Sequence, residues 1–301
     1  MSFSYEELAE IRHYIHQHPE LSGQEYQTTA FLKERLEELG IRILESGLKT
    51  GLIAEIGSGQ PVVALRADID ALPILEQTNL PYQSQNPGVM HACGHDFHQT
   101  SLLGAAALLK EKEDQLEGTV RLIFQPAEEI SEGASDVLAT GLLEDVQGII
   151  GFHNIPQLKA GQLALNAGAM MAGVEKFKVT VTGVSSHAAR PDLGVDTVTA
   201  VTTMVQNLQL LISRTVSPFE TAVLSITHLD VGSTWNVLPK SGYFEGTIRS
   251  FNPSVQRELK EHFISIIRHI AKSLEVDVAF EWGVTPPVTF NLSLIHISDG
   301  A

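Results

Sequence analysis

The stretch "PVVALRADIDALP", residues 61–73, is an apolar run that stops at two carboxylates, Asp68 and Asp70. Three other runs share its form: "GLIAEIG" (51–57), "TVRLIFQPAEE" (119–129) and "GIIGFHN" (148–154). Helical or loop stretches separate them. One is "TSLLGAAALLKEKE" (100–113), small and apolar on one side and charged at its end, as suits a helix packed closely on a sheet. Short apolar runs alternating with such segments predict an α/β layer with a mostly parallel sheet. Upstream, residues 5–39 predict two helices split at Pro19 and Gly23, the second stopped by Gly40.

From about Glu175 to Pro286 the rhythm changes. "KFKVTVTGV" alternates like a strand and "VDTVTAVTTMVQNLQLLISR" has helical spacing. "TAVLSITHLDVG" and "GYFEGTIRSF" read as strands, "VQRELKEHFISIIRHIAKSLE" as a strongly amphipathic helix, and "VDVAFEWG" as a last strand. The order β-α-β-β-α-β predicts a smaller α+β domain with its own sheet. The expected division is 1–171, 172–287 and a short tail, 288–301, with "NAGAMMAG" (166–173) joining the domains.

Composition narrows the functions that are reasonable. The chain has 301 residues, 43% hydrophobic and 19% charged, which suits two globular domains with cores of their own. A net charge of −16 repels phosphate backbones and anionic lipid heads, so neither nucleic acid nor membrane is the expected partner. The polar, acidic N-terminus lacks the form of a secretory signal, which makes the cytoplasm the default location. A single cysteine, Cys93, leaves packing, reactivity or metal binding, since it has no partner for an internal disulfide.

The chemistry gathers where the apolar runs end. Asp68 and Asp70 close one, Glu128 and Glu129 another and His153 a third, while "GVMHACGHDFHQT" (88–100) sets Cys93, His95 and Asp96 before the small-residue helix. Open α/β sheets bind ligands beyond the carboxyl ends of their strands, so four such segments converge on one crevice. Taken singly, each has a plainer role: a core cysteine, capping aspartates, solvated glutamates, a structural histidine. Together they form a mixed thiolate, imidazole and carboxylate set that accepts Zn, Mn, Co or Ni. Two such ions about 4 Å apart are a standard device for amide hydrolysis, and of two adjacent glutamates one can ligate while the other carries a proton.

"HACGHDFH", "RADIDALP", "QPAEE", "GFHN", "SSHAARPDLGVD" and "NVLPKSGYFEGTIRSF", in chain positions 91, 66, 125, 151, 185 and 236, resemble the aminoacylase and hippurate-hydrolase branch of the dinuclear metallopeptidases. N-acetyl-diaminopimelate deacetylases and plant auxin-conjugate hydrolases are also of this branch. The opening "IRHYIHQHPELSGQE" extends the resemblance over residues 5–288. It implies a metallo-exopeptidase-like catalytic domain, two divalent ions per subunit, and a small N-acyl amino acid or peptide-like substrate. Cys93, His95, Glu129 and His153 would ligate, Glu128 would be the general base, and Asp68 would orient a ligand or the base. Related branches carry a metal-binding histidine where this chain has Arg66. The helix after Cys93 would favour its thiolate through the N-terminal dipole, with His91 and His98 as supporting groups.

The same resemblance makes residues 172–287 a lid and dimerisation domain. His187 would reach an active site, commonly the partner subunit's, to stabilise the tetrahedral oxyanion, and Asn236 and Arg249 would hold the substrate's carboxylate. The family chain then returns to the catalytic domain with a final metal-binding histidine. Here "LSLIHISDGA" remains, and His296 in its "SLIHIS" setting does not match that ligand, so the chain reads as shortened. Two alternatives accompany the hydrolase: a cysteine hydrolase using Cys93 and His95, and an inactive dimerising or ligand-binding relic.

Overall fold

Ser4 starts the first helix, α1 (Tyr5–Gln17), with a capping box: its hydroxyl accepts the Glu7 N–H at 3.1 Å while Glu7 Oε2 accepts the Ser4 N–H at 2.7 Å. The computed structural model describes residues 3–283 and 286–292. Its chain divides into two compact units, Met1–Gln162 and Leu163–Ala301.

In the first unit α1 and α2 (Tyr26–Glu38) precede β1 (Arg42–Ile43), β2 (Leu52–Gly57) and β3 (Val62–Asp68). Then come α3 (His95–Glu111), β4 (Thr119–Gln125), α4 (Gly133–Ala139) and β5 (Val146–Gly151). The sheet order is β1-β2-β4-β3-β5. It is mixed, and the expectation of a mostly parallel sheet is corrected: β3 runs parallel to β4 and β5, but β2 is antiparallel to β4 and β1 to β2. The reason lies in chain length. Parallel strands need a crossover of a dozen or more residues, and residues 58–61 between β2 and β3 are too few, so β3 must return in the opposite sense.

Ile11 and Ile15 of α1, Leu32 and Leu36 of α2, and Leu103 and Ala106 of α3 bury against Ile56, Leu122 and Phe124 of the sheet. Gly104 lets α1 come close: a Cβ there would stand 3.2 Å from Leu8. α3 begins at His95, so His95, Asp96 and His98 lie in its first turn rather than before it. Gly94, at φ 87, is the left-handed N-cap that turns the chain into the helix.

The second unit runs β6 (Gly168–Met171), β7 (Gly173–Thr182), β8 (Ser186–His187), α5 (Thr197–Thr215), β9 (Ala222–Val231), β10 (Val237–Leu238), β11 (Ser241–Ser250), α6 (Pro253–Ser273), β12 (Asp277–Trp282) and β13 (Thr289–Asn291). Its main sheet, β12-β7-β11-β9, is antiparallel throughout. Phe177, Val179 and Val181 of β7 and Phe244 and Ile248 of β11 alternate onto one face, where α5 and α6 cover them with Met204, Leu208, Leu259 and Phe263. β7-α5-β9-β11-α6-β12 is the split βαβ order read from the alternation. Among the described residues, no helix is long and apolar enough to cross a membrane.

Candidate metal centre

Three groups of donor atoms among the described residues lie within 4.8 Å of one another: Cys93, His95 and His153; His95, Glu128 and Glu129; and Asp68, His95 and His98. His95 belongs to all three. The segments just after β4 and β5, the end of β3, and Cys93 with the first turn of α3 supply them, as expected for the carboxyl edge of parallel strands.

Asp70 sets the orientation of His95. The Nδ1–H of His95 donates to the Asp70 backbone carbonyl at 2.9 Å, with Asp70 Oδ1 at 3.2 Å. Nε2 is thereby turned toward Asp68 at 3.6 Å, Glu129 at 3.8 Å and Glu128 at 3.9 Å. That nitrogen is buried and has no hydrogen-bond partner, and neither has Glu129 Oε1 opposite it. Two buried orphan atoms facing each other are costly unless something lies between them. They are close enough for both to reach one ion at the usual ~2.0–2.2 Å. On this ground the residues fit a divalent cation.

Protonation supports the same conclusion. Burial alone would lower the His95 ring, but the hydrogen bond to Asp70, the nearby Cys93 sulfur and the charges of Asp68 and Asp70 push it up to about 11. Metal binding at this ring therefore competes with a proton. Cys93 Sγ lies 3.3 Å from His153 Nε2. The hydrogen bond to His153 and the neighbouring His95 ring, against burial, hold the thiol below its ordinary range. The bond to Cys93, against burial, raises His153 to about 9. The sulfur is thus inclined to the thiolate form that binds metals.

Asp68 has both oxygens engaged: Oδ2 accepts Arg66 Nη1 at 2.7 Å and Oδ1 accepts His98 Nδ1–H at 2.6 Å. Burial works against its charge, yet these partners hold it well below the usual carboxylate range. A carboxylate so occupied suits a positioning role. Asp70, which the sequence left between a cap and a site residue, holds two of the donors in register. Its Oδ2 accepts the Glu129 N–H at 3.0 Å and the Ser22 hydroxyl at 2.6 Å, while its other groups hold His95. Asp70→Ala is expected to weaken metal affinity ~10–100-fold, as loss of a ligand's outer partner commonly does, and competition with a chromophoric chelator checks it.

Glu25 was missed altogether. It is fully buried, and its Oε1 accepts the Ala127 N–H at 2.8 Å while Oε2 accepts the Thr50 hydroxyl at 2.7 Å. Ala127 has φ 48, so this bond fixes the strained turn that presents Glu128 and Glu129. Nothing local in the sequence marks the role, because the partner lies 102 positions away. Glu25→Ala strands two donors, and unfolding in urea is expected to show a loss of about 1–3 kcal/mol for each.

The remaining candidates belong to the second unit or play other parts. His91 is buried, and burial pushes its ring down to about 4, so it stays neutral. His187 on β8 and Asn236 just before β10 are neighbours in the second unit, where the Ala188 N–H donates to the Asn236 carbonyl at 2.9 Å. Arg249 is exposed on β11. His296 lies outside the described residues.

Comparison with known proteins identifies similar chains among metal-binding peptidases and amidohydrolases. The N-acetyl-L-cysteine deacetylase of Bacillus subtilis is 45% identical over 287 residues, spanning 95% of this chain and 69% of that protein. An IAA-amino acid hydrolase of Arabidopsis thaliana is 40% identical over 95% of this chain and 67% of its own length. A crystal structure of a dinuclear metal binding peptidase of the M20 family from Bacillus subtilis superposes with a TM-score of 0.83 at 42% identity, over 95% of this chain and 76% of that one. Another, from methicillin-resistant Staphylococcus aureus, reaches 0.92 at 33% identity over 97% and 79% of the two chains. The sequence model of peptidase family M20/M25/M40 matches residues 64–298, and the chain belongs to that family.

Proposed function

We propose that this chain hydrolyses the amide bond of N-acyl amino acids or small peptide-like compounds, with two divalent ions held by Cys93, His95, Glu129 and His153. The carrying observation is the inequality of the two adjacent glutamates. Glu129 turns a buried, partnerless oxygen toward His95 Nε2, whereas the Glu128 side chain keeps 40% of its surface exposed. This difference supports a reading in which Glu129 ligates and Glu128 meets the substrate.

When bound, the ions polarise the amide carbonyl and acidify water. The chain's own groups do the rest. Burial and the charges of Asp68 and Glu129, against those of His95 and Arg66, raise Glu128 above the ordinary glutamate range. A carboxylate so tuned takes a proton from the attacking water and returns it to the departing nitrogen. Asp70 holds His95 in the tautomer that leaves Nε2 free, and Arg66 and His98 keep Asp68 ionised.

Residues 172–287 act as lid and dimerisation domain in this reading. His187 stabilises the oxyanion, commonly across subunits, while Asn236 and Arg249 hold the substrate's carboxylate; the homodimer is then the active form. The names of the relatives support the substrate class: two are N-acetylcysteine deacetylases, another is an N-acyl-L-amino acid amidohydrolase, and a further one is a hippurate hydrolase. A panel of N-acetyl and N-benzoyl amino acids, assayed beside the metal content of the purified chain, tests the reading. Turnover with about two ions per chain is expected, and metal uptake with no turnover on any member overturns it.

A further inference from the structure

His98 is fully buried in the first turn of α3, and the reaction described above uses it only to steady Asp68. Its second nitrogen has a task of its own. The Asp68 carboxylate accepts at Nδ1, so a proton sits there, and Nε2 is turned to Asn154. Both contacts are to Asn154: its backbone N–H points at this nitrogen at 3.0 Å, and its side-chain Oδ1 stands 2.6 Å from it.

Asn154 continues the chain of bonds. Its backbone carbonyl accepts the Nδ1–H of His153 at 2.9 Å, which turns His153 Nε2 toward Cys93 Sγ at 3.3 Å. The sequence of contacts Asp68, His98, Asn154, His153 thus ties the end of β3 to the segment after β5. The rings also pack, with the centroid of His98 4.6 Å from that of His153 and 5.2 Å from that of Phe152, both edge to face. Gly94 leaves room for this arrangement, since a Cβ there would collide with the Asn154 amide.

We propose that His98 is a positioning residue of the metal centre, whose Nδ1 fixes Asp68 and whose Nε2, through Asn154, aims the free nitrogen of His153. Although its ring lies within reach of Asp68 and His95 as part of a possible ligand group, it does not ligate, because both of its nitrogens are already spent. The proposal rests on the assignment of Cys93, His95, Glu129 and His153 as ligands.

Two conservative variants separate the arms. His98→Asn places an amide where Nδ1 stood and keeps the donor to Asp68, whereas His98→Gln places one where Nε2 stood and keeps a hydrogen-bonding group for Asn154. Cobalt(II) is titrated into metal-free wild type and variants, following the visible spectrum and the thiolate-to-cobalt absorption, with metal-free melting measured alongside. Both variants are expected to take up as many ions as the wild type. The affinity of at least one ion falls ~10–100-fold in His98→Asn, with an altered spectrum, while His98→Gln stays nearer the wild type. Unchanged spectra and affinities in both variants overturn the proposal even if melting drops, and so does the loss of one ion from both, which would make His98 a ligand. A wild type without the thiolate-to-cobalt band overturns the ligand assignment, and the proposal with it.

Discussion

Glu128→Gln is expected to lower kcat about 10²–10⁴-fold, the usual contribution of a positioned acid–base group, with metal content unchanged. The amide of glutamine has nearly the shape of the carboxylate but cannot take or return a proton. Because Glu129 rather than Glu128 turns the buried partnerless oxygen toward His95, the ions should stay bound. Steady-state kinetics on an N-acyl amino acid, with elemental analysis of the same sample, checks both halves. If the variant instead loses an ion, the two glutamates have their roles reversed. The turn that carries them is anchored at Ala127 by Glu25 and at Glu129 by Asp70, and neither bond involves the Glu128 side chain. A structural collapse is therefore not the expected cause of the loss.

Removal of metal should have the other large effect. Dialysis against a strong chelator is expected to reduce turnover by at least ~10³-fold, since Lewis-acid stabilisation is worth several kcal/mol and each ~1.4 kcal/mol is a factor of ten. Adding back Zn, Mn, Co or Ni should restore it, one of them best. The experiment also decides the fate of Cys93. A sulfur 3.3 Å from an imidazole has the geometry of a nucleophile and its base. Were it one, activity would survive the chelator and fall to alkylation. The buried orphan pair of His95 and Glu129 has no place in that chemistry, which is why chelator sensitivity is expected.

Much of the site was legible because its signals are local. "HACGHDFH", "QPAEE" and "GFHN" each carry their donors within a few residues at the end of an apolar run. The second unit was legible for the same kind of reason: β7 and β11 alternate with period two and α6 is amphipathic over 21 residues. The sheet direction was misread because β2 and β3 look alike as apolar runs. Their relative sense depends on the brevity of the connection and on β4 inserting between them. Glu25 was illegible because a buried carboxylate bonded to a backbone N–H leaves no pattern when its partner is far along the chain.

The sequence by itself determined the donor set, the adjacency of Glu128 and Glu129, and the two-part α/β and α+β organisation, since each follows from residue type and short-range spacing. The tertiary structure alone decided how those donors are used. It gave Asp70 two partners to hold, spent both oxygens of Asp68 and both nitrogens of His98, and left His95 Nε2 and Glu129 Oε1 without any. Hydrogen-bond capacity is a property of each side chain, but which of it remains unspent depends on neighbours brought in from distant strands and helices.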